Sequence, residues 1–337
     1  LSELRKDYLE DYVALVAPRR VRAVEGACPY CRGSEKSAPP SPVVFRRGEN
    51  GFLMRLEEGE EDRVEDWDLK VLPYHAPLLT DGPQSPKELT VPFRKADPGA
   101  GVHYVIVPTP EHGLKLSQLD VDQMVLVLLA IQEFGKDLYQ RKGINYVAIY
   151  YEERSEGGEH PLVHVLGLPE VPPAVEREYQ AYRKYLKEIG TCPLCVIAEV
   201  EKSGPRELLS NEDYISIFPW APMSPFEAWV LPRSHRMRFY RLTLPNMTAL
   251  AQILLPTMRA MSQMAHDYCA VFYTSSLKRS SMNIHWSVRL HGGEDAFAGI
   301  SSGYGIRIMD DTPEDRAKLM AKHARKAFAD IVMGDRT

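Results

Sequence analysis

Cys28-Pro-Tyr-Cys31 and Cys192-Pro-Leu-Cys195 repeat one spacing at two places in a 337-residue chain, and each pair is followed by two histidines in a matched order. A Cys-x-x-Cys pair is either half of a metal site or a redox couple, and the redox form usually opens a helix after a strand. Here each pair carries a proline after its first cysteine and sits in what reads as a knuckle-like loop. One histidine alone is most simply a satisfied core or surface imidazole, but four at matched places are hard to explain that way. The ligand sets that follow are Cys28, Cys31, His112, His160 and Cys192, Cys195, His235, His285. Two sulfurs with two imidazoles suit zinc, two ions per chain, and four protein ligands leave no open position, so both sites read as structural. The fifth cysteine, Cys269, lies in an apolar stretch and reads as an inert buried thiol.

The elements that must carry these ligands repeat as well. Tyr104 to Pro108 leads to His112, and Ala228 to Pro232 leads to His235, both strand-like. Helical patterns follow, from Ser117 to about Gln140 and from Leu244 to about Tyr268, with Pro256 a possible kink in the second. The β-rich segments Tyr146–Tyr151 with His160–Leu168, and Val271–Thr274 with Asn283–Leu290, then bring in the last ligands. The separations between paired histidines nearly agree, 160 − 112 = 48 against 285 − 235 = 50. Those from cysteine to histidine do not, 112 − 31 = 81 against 235 − 195 = 40. The excess holds Pro39 to Pro42 and the charged run Glu57 to Glu65, an inserted loop with extra strands. The chain therefore reads as α+β with two domains, 1–180 and 181–337, each an antiparallel sheet with packed helices. An exposed, charged helix from Ala174 to Ile189, ended by Gly190, lies across the boundary, and a closing helix follows Thr312-Pro-Glu-Asp.

Alternation along the last-ligand strands puts His160, Leu162 and His164 on one face, and His285, Ser287 and Arg289 on the corresponding face of the second repeat. The run His160-Pro-Leu-Val-His-Val-Leu-Gly-Leu-Pro169 resembles the histidine-triad (HIT) strand of galactose-1-phosphate uridylyltransferases, whose form is His-Pro-His-x-Gln. Glu3 to Asp7 with Val13 to Arg20, Phe218 to His235, and the glycine-rich Ala298-Gly299 with Gly303 to Ile308 resemble further segments of that family, the last of them a late strand. The resemblance implies two HIT-like halves, usually a homodimer, and transfer of a nucleoside monophosphate through a uridylyl-histidine intermediate. It also implies that His160 completes a zinc site with Cys28, Cys31 and His112, and that Arg20 stands near the phosphates.

The departures from the family fall at the chemistry. The nucleophile position is Leu162, which has no lone pair, and the position of the phosphate-contacting glutamine is His164. The Gly and Ser that precede the family motif have no match in Glu152 to Glu159, and a family Asn near the uridine is replaced around Tyr74. Ser287 and Arg289 stand in the second repeat where they could contact phosphate, but no imidazole does. His164 could serve as a relocated nucleophile only in a rebuilt pocket, because two residues along a strand is about 6.6 Å. Three readings follow. The first is a nucleotidyltransferase-like zinc protein with a degenerate site that binds a nucleotide or another phosphorylated ligand. The second is an active nucleotidyltransferase using His164, and the third a structural or assembly protein.

Composition bounds the alternatives. A net charge of -5 gives no electrostatic case for nucleic acid, and Arg19-Arg20-Val21-Arg22 is too local to make one. The longest apolar run, Met124 to Ile131, is far short of the roughly 20 residues of a membrane span. The charged opening Leu1 to Asp7 is unlike a signal peptide, and few cysteines in a chain of this length point to a reducing, cytoplasmic setting.

Overall fold

A computed structural model of the chain describes residues 2–9, 12–17, 28–48, 51–82, 94–155, 159–235, 238–279, 284–294 and 298–334. The strands of the first half are β1 (Glu3–Lys6), β2 (Val13–Val16), β3 (Val43–Arg47), β4 (Leu53–Leu56), β5 (Leu69–Pro73), β6 (Lys95–Pro98) and β7 (Val102–Val107). Helix α1 (Val121–Gln140) follows, then β8 (Tyr146–Glu153) and β9 (Val163–Leu168). Helices α2 (Pro173–Ile189) and α3 (Pro193–Glu201) lead into β10 (Glu207–Ser210), β11 (Tyr214–Ile217) and β12 (Phe226–Pro232). The chain closes with α4 (Leu244–Ala265), β13 (Tyr268–Tyr273), β14 (Ser287–Gly292), α5 (Ala298–Tyr304) and α6 (Pro313–Gly334).

The expected repeat is present, and its halves are fused. Among the described residues eleven strands form one sheet in the order β10-β11-β12-β14-β13-β8-β9-β7-β5-β3-β4, every named pairing antiparallel. The halves meet where β8 pairs with β13, Val271 opposite Tyr150. The second half thus runs β13, β14, β12, β11, β10 outward from this seam, and the first runs β8, β9, β7, β5, β3, β4. A three-stranded sheet, β2-β1-β6, stands apart, and with the edge strand β4 it is extra material of the first half.

Alternation decides what each face of the large sheet meets. On one face Val163 and Val165 of β9, Ala270 and Phe272 of β13 and Val288 and Leu290 of β14 pack with Met124, Ile131, Leu250 and Leu254 of α1 and α4 in a core that runs through both halves. On the other face the packing is split into smaller clusters, one around Trp67 and Val105 with Leu162 at its margin, one around Cys192 and Leu231, and one where Val175 and Tyr179 of α2 meet Tyr146. This second face carries the functional candidates.

Local signals account for the helix ends. The Asp120 side chain accepts from the Gln123 amide (2.7 Å) at the start of α1, and Thr312 Oγ1 accepts from the Asp315 amide (3.1 Å) at the start of α6. Gly190 ends α2 in the left-handed region at φ 72°, with its amide on the Leu186 carbonyl. Helix α4 continues through the buried Pro256. Two expectations need correction. The glycine-rich segment from Ala298 to Ile308 is not a strand: α5 takes its first part, Ile306 and Ile308 are exposed, and at the β10 end of the sheet the neighbour is α6, whose Arg325 donates to the Leu208 carbonyl (3.4 Å). The strand ladder of β9 also begins only at Val163, so His160 and Leu162 lie in the extended segment before it.

A shared core should make the halves lose stability together. Ile131→Ala removes a fully buried side chain of α1 at the α1–α4 contact and should cost about 2–5 kcal/mol. In urea titrations followed by fluorescence, the unfolding midpoint should fall alike for a variant that retains only Trp67 and for one that retains only Trp286. A midpoint that moved in the first half alone would show that the halves unfold independently.

Candidate functional site

The two cysteine–histidine groups assemble as their spacing implies. In each, one ligand atom from every one of Cys28, Cys31, His112, His160, and of Cys192, Cys195, His235, His285, lies within 4.8 Å of the others, so each group could hold a metal ion. All the cysteines are free thiols. The elements that present the ligands correspond: a cysteine turn, a residue just past β7 or β12, and the segment just before β9 or β14. His160 turns Nδ1 toward Cys28 and Cys31 Sγ (3.9 and 3.7 Å), and His285 turns Nδ1 toward Cys192 and Cys195 Sγ (3.7 and 3.4 Å). In both rings Nε2–H donates to a main-chain carbonyl three residues before the other histidine of the set, Thr109 O at 2.8 Å and Pro232 O at 2.6 Å. That outer bond holds Nδ1 as a lone pair facing the sulfurs, the orientation a metal ligand needs.

The donor set fits an ion on a further observation. Among the described residues His235 Nδ1 is buried and has no hydrogen-bond partner, and coordination would satisfy it. Burial also disfavours charge in the groups by themselves, lowering the pKa of His285 to about 4 and raising the thiols of Cys31 and Cys195 to about 11 and about 12. The second pair differs from the knuckle expected for both. Cys192 caps α3 and Pro193 and Cys195 lie in its first turn, because Pro193 suits a first helical position and Leu194, Ile197 and Ala198 pack on the sheet. A helix-opening pair is the placement expected of a redox couple, but the two histidines beside it make a closed quartet.

A cleft of about 410 Å³ opens beside the first group. His160, Leu162, His164, His103, Tyr74, Tyr150, Lys115, Arg154, Glu152 and Glu159 are among the side chains along it. Leu162 packs at the margin of the Tyr30 and Trp67 cluster, and so fills with hydrocarbon the place the sequence marks for a nucleophile. His164 lies between Tyr150, stacked at 4.8 Å and 11°, and Tyr74, edge-on at 5.1 Å. Its Nδ1 is 2.9 Å from His103 Nε2. Burial pushes the His164 pKa down to about 4, so the ring is neutral at physiological pH.

His103 was not legible as a site residue. It lies on β7 two residues before Val105, and only the β7–β9 register, Val105 opposite His164, brings it into reach. Tyr150 comes in the same way, opposite His164 on β8. Tyr74, singled out from the sequence, does border the cleft, whereas Arg20 lies outside the described residues.

Ser287 and Arg289 occupy the mirrored place. Strand pairing runs Val105, His164, Tyr150, Val271, Arg289, Trp229 in one row across the sheet, with the seam at its middle. His164 and Arg289 are three strand spacings apart, about 14 Å. The Arg289 guanidinium is held between Trp229 (4.2 Å) and Tyr273 (4.3 Å), pairs with Glu178 of α2, and donates to Ser287 Oγ (3.1 Å). Ser287 is fully buried. The second repeat thus fills with its own side chains the space the first leaves open, and a phosphate at Arg289 would have to displace Glu178.

No family model matches the chain. ADP-glucose phosphorylase of Arabidopsis thaliana is 25% identical over 342 residues, which cover 94% of this chain and 92% of that one. Galactose-1-phosphate uridylyltransferase of Haemophilus influenzae is 24% identical over 221 residues, 64% of this chain and 62% of its own. Among solved structures, one of a uridylyltransferase is similar with a TM-score of 0.79 at 26% identity, over 96% of this chain and 99% of that one. The structure of an ADP-glucose phosphorylase from Arabidopsis thaliana with bound ADP-glucose has the same fold, with a TM-score of 0.70 at 24% identity over 96% of this chain and 98% of that one.

A neutral buried imidazole makes stability depend on pH. In the unfolded chain His164 titrates near 6.5, and in the folded protein near 4, so its contribution is present above about pH 6.5 and is lost as pH falls toward 4. Between pH 7 and pH 5 this amounts to about 2 kcal/mol. Urea unfolding at the two pH values should show a drop smaller by roughly that amount in His164→Leu; an equal drop in both proteins would mean that His164 is charged in the folded state.

Proposed function

We propose that this chain, a divergent member of the galactose-1-phosphate uridylyltransferase family, is a zinc protein that binds a nucleotide sugar in the cleft beside His164 and does not use the family's covalent histidine route. The observation that carries the proposal is the cleft itself. It keeps an open, polar, aromatic-walled space at the start of β9 while the nucleophile position in it is the hydrocarbon of Leu162. The bound ADP-glucose of the structurally similar phosphorylase supports a nucleotide sugar as the class of ligand. Neutral His164 and cationic Lys115 are polar groups that can meet phosphate oxygens there, with Arg20 a second cation that the family resemblance puts near them. The stack of Tyr150 on His164 fixes the imidazole plane.

Zinc is the metal that two thiolates and two imidazoles suit best, and a closed quartet of protein ligands would leave each ion a structural role. Cys28 and Cys31 tie the N-terminal turn to the start of β9, and Cys192 and Cys195 tie α3 to the start of β14. The first site therefore anchors one wall of the cleft through His160. Bound zinc would supply folding energy at both places. The family also supports a homodimer, and the free thiols suit a reducing, cytoplasmic setting.

The relocated-nucleophile reading has one observation in its favour: His164 is neutral and borders the same cleft. It differs from the proposal in a single measurable step, attack of an imidazole nitrogen on the α-phosphorus with loss of the sugar phosphate. Incubation with ADP-glucose or UDP-glucose labelled in the α-phosphate should leave no acid-labile, base-stable label on the protein, while calorimetry detects binding of at least one of the two. A trapped nucleotidyl group that disappears in His164→Ala would replace the proposal with an active transferase, and the absence of binding by either nucleotide sugar would remove the ligand assignment. Metal analysis of the purified protein should find about two zinc ions per chain. Cys31→Ser should lose one of them, and Cys192→Ser should lose the other together with stability of the second half. Fewer than about one ion in the unaltered protein would refute the structural-zinc assignment.

A further inference from the structure

His164 has a neighbour whose hydrogen bonds determine where its proton sits. The Leu78 main-chain N–H donates to His103 Nδ1 at 3.1 Å. A nitrogen that accepts a hydrogen bond from a backbone amide carries a lone pair and no proton, so the neutral His103 ring has its proton on Nε2. That Nε2 lies 2.9 Å from His164 Nδ1, and the only polarity that satisfies the contact is donation from His103 to His164. Nδ1 of His164 is thereby the acceptor, and its own proton must be on Nε2. One backbone amide sets the direction of the whole chain: Leu78 N–H to His103, His103 Nε2–H to His164, and His164 Nε2–H onward.

We infer that His103 is a positioning residue that holds His164 as the Nε2–H tautomer, so that the cleft presents a fixed hydrogen-bond donor to an acceptor oxygen of its ligand and no imidazole lone pair to phosphorus. This rests on the nucleotide-sugar reading only for the identity of the ligand; the tautomer is a property of the free protein. His164 borders the cleft and its Nδ1 is already bonded, so Nε2–H is the polar group the ring can offer there. The acceptor it fits is a phosphoryl oxygen or a hydroxyl oxygen, and of the two a phosphoryl oxygen makes the stronger, charge-assisted bond. A nucleophilic histidine needs the reverse arrangement, with Nδ1–H donating to an acceptor and a bare Nε2. The ring that faces Nδ1 here is a donor, which is the wrong polarity for that task.

The polarity also explains why the pair is stable without a charge. Protonating either ring would put two N–H groups head to head or break the bond from Leu78. Tyr74 packs against both rings, 4.7 Å from His103 and 5.1 Å from His164, and Tyr150 covers the outer face of His164, so the pair cannot turn aside to relieve such a conflict. The metal-site histidines His160 and His285 also carry their proton on Nε2, but they give it to a main-chain carbonyl and keep a bare Nδ1 for the metal quartet. His164 has its Nδ1 closed by a donor, and keeps the proton for the cleft.

The test reads the tautomer directly. In the full-length zinc-loaded protein with 15N-labelled histidine at neutral pH, two-bond proton–nitrogen correlation spectra should show His164, assigned by its loss in His164→Gln, protonated at Nε2 and bare at Nδ1. His103→Leu removes the donor, and His164 should then populate the Nδ1–H form. His103→Gln keeps an N–H at about the same reach and should restore the Nε2–H form, a rescue that a merely space-filling role would not require. With ADP-glucose as the probe, His103→Leu should bind roughly 10-fold or more weakly and His103→Gln close to the unaltered protein. A His164 ring protonated at Nδ1 in the unaltered protein would overturn the inference, as would a tautomer that ignores His103→Leu; the first result is read in the unaltered protein, with His164→Gln used for its assignment alone. If the Nε2–H form is found but ADP-glucose and UDP-glucose both leave the ring signals unmoved, the nucleotide-sugar reading fails and the positioning role of His103 stands.

Discussion

The pairing of β8 with β13 governs the rest of the molecule. It is the contact through which two half-sheets become one, from Glu153 opposite Tyr268 to Ile149 opposite Phe272. A strand edge left unpaired at the centre of either half would expose main-chain N–H and C=O groups and invite another chain. Joining the two central edges satisfies both and lets α1 and α4 cover a single apolar face. It also sets the chemistry of the other face, because β9 and β14 each sit one strand from the seam. Their side chains therefore come into register with one another across it.

That register puts His164 and Arg289 in equivalent positions, and the contrast between them shows how one scaffold yields one cleft. On the second side α2 lies over the sheet, Glu178 neutralises Arg289, and Trp229 and Tyr273 enclose the guanidinium. A cation so enclosed must be paired, and removing Glu178 would leave a charge with little water. On the first side Tyr74, Tyr150 and His103 wall an open space among the described residues. The same fold position is filled by side chains in one half and borders an open cleft in the other.

The metal quartets and the cleft are linked through short segments. His160 stands three residues before the start of β9 and His285 two before the start of β14, so a metal at each quartet would fix where these strands begin. From His160 the chain reaches Leu162, whose packing against the Trp67 cluster leaves the middle position of the triad without a functional group, and then His164. From the last residue of the first quartet to the imidazole that borders the cleft is thus four residues.

The two cysteine–histidine quartets, the helix start at Thr312, Gly190 at the end of α2, and the hydrocarbon of Leu162 between His160 and His164 could all be read from the chain, because each is a matter of residue type and local spacing. The α+β class and the repeated order of elements follow from periodicity in the same way. What tertiary structure alone decided is which distant strands lie side by side. The spacing of His103 says nothing of His164, 61 residues away; the β7–β9 register joins them. Nothing in the sequence of α2 marks Glu178 as the partner of Arg289, 111 residues on, or says that the two repeats share one sheet and one core. The late glycine-rich segment was misread as a strand for the same reason, since a strand exists only where another edge accepts its hydrogen bonds, and the neighbour there is α6. Composition and spacing act over a few residues, whereas register and hydrogen-bond polarity act between segments that only folding brings together.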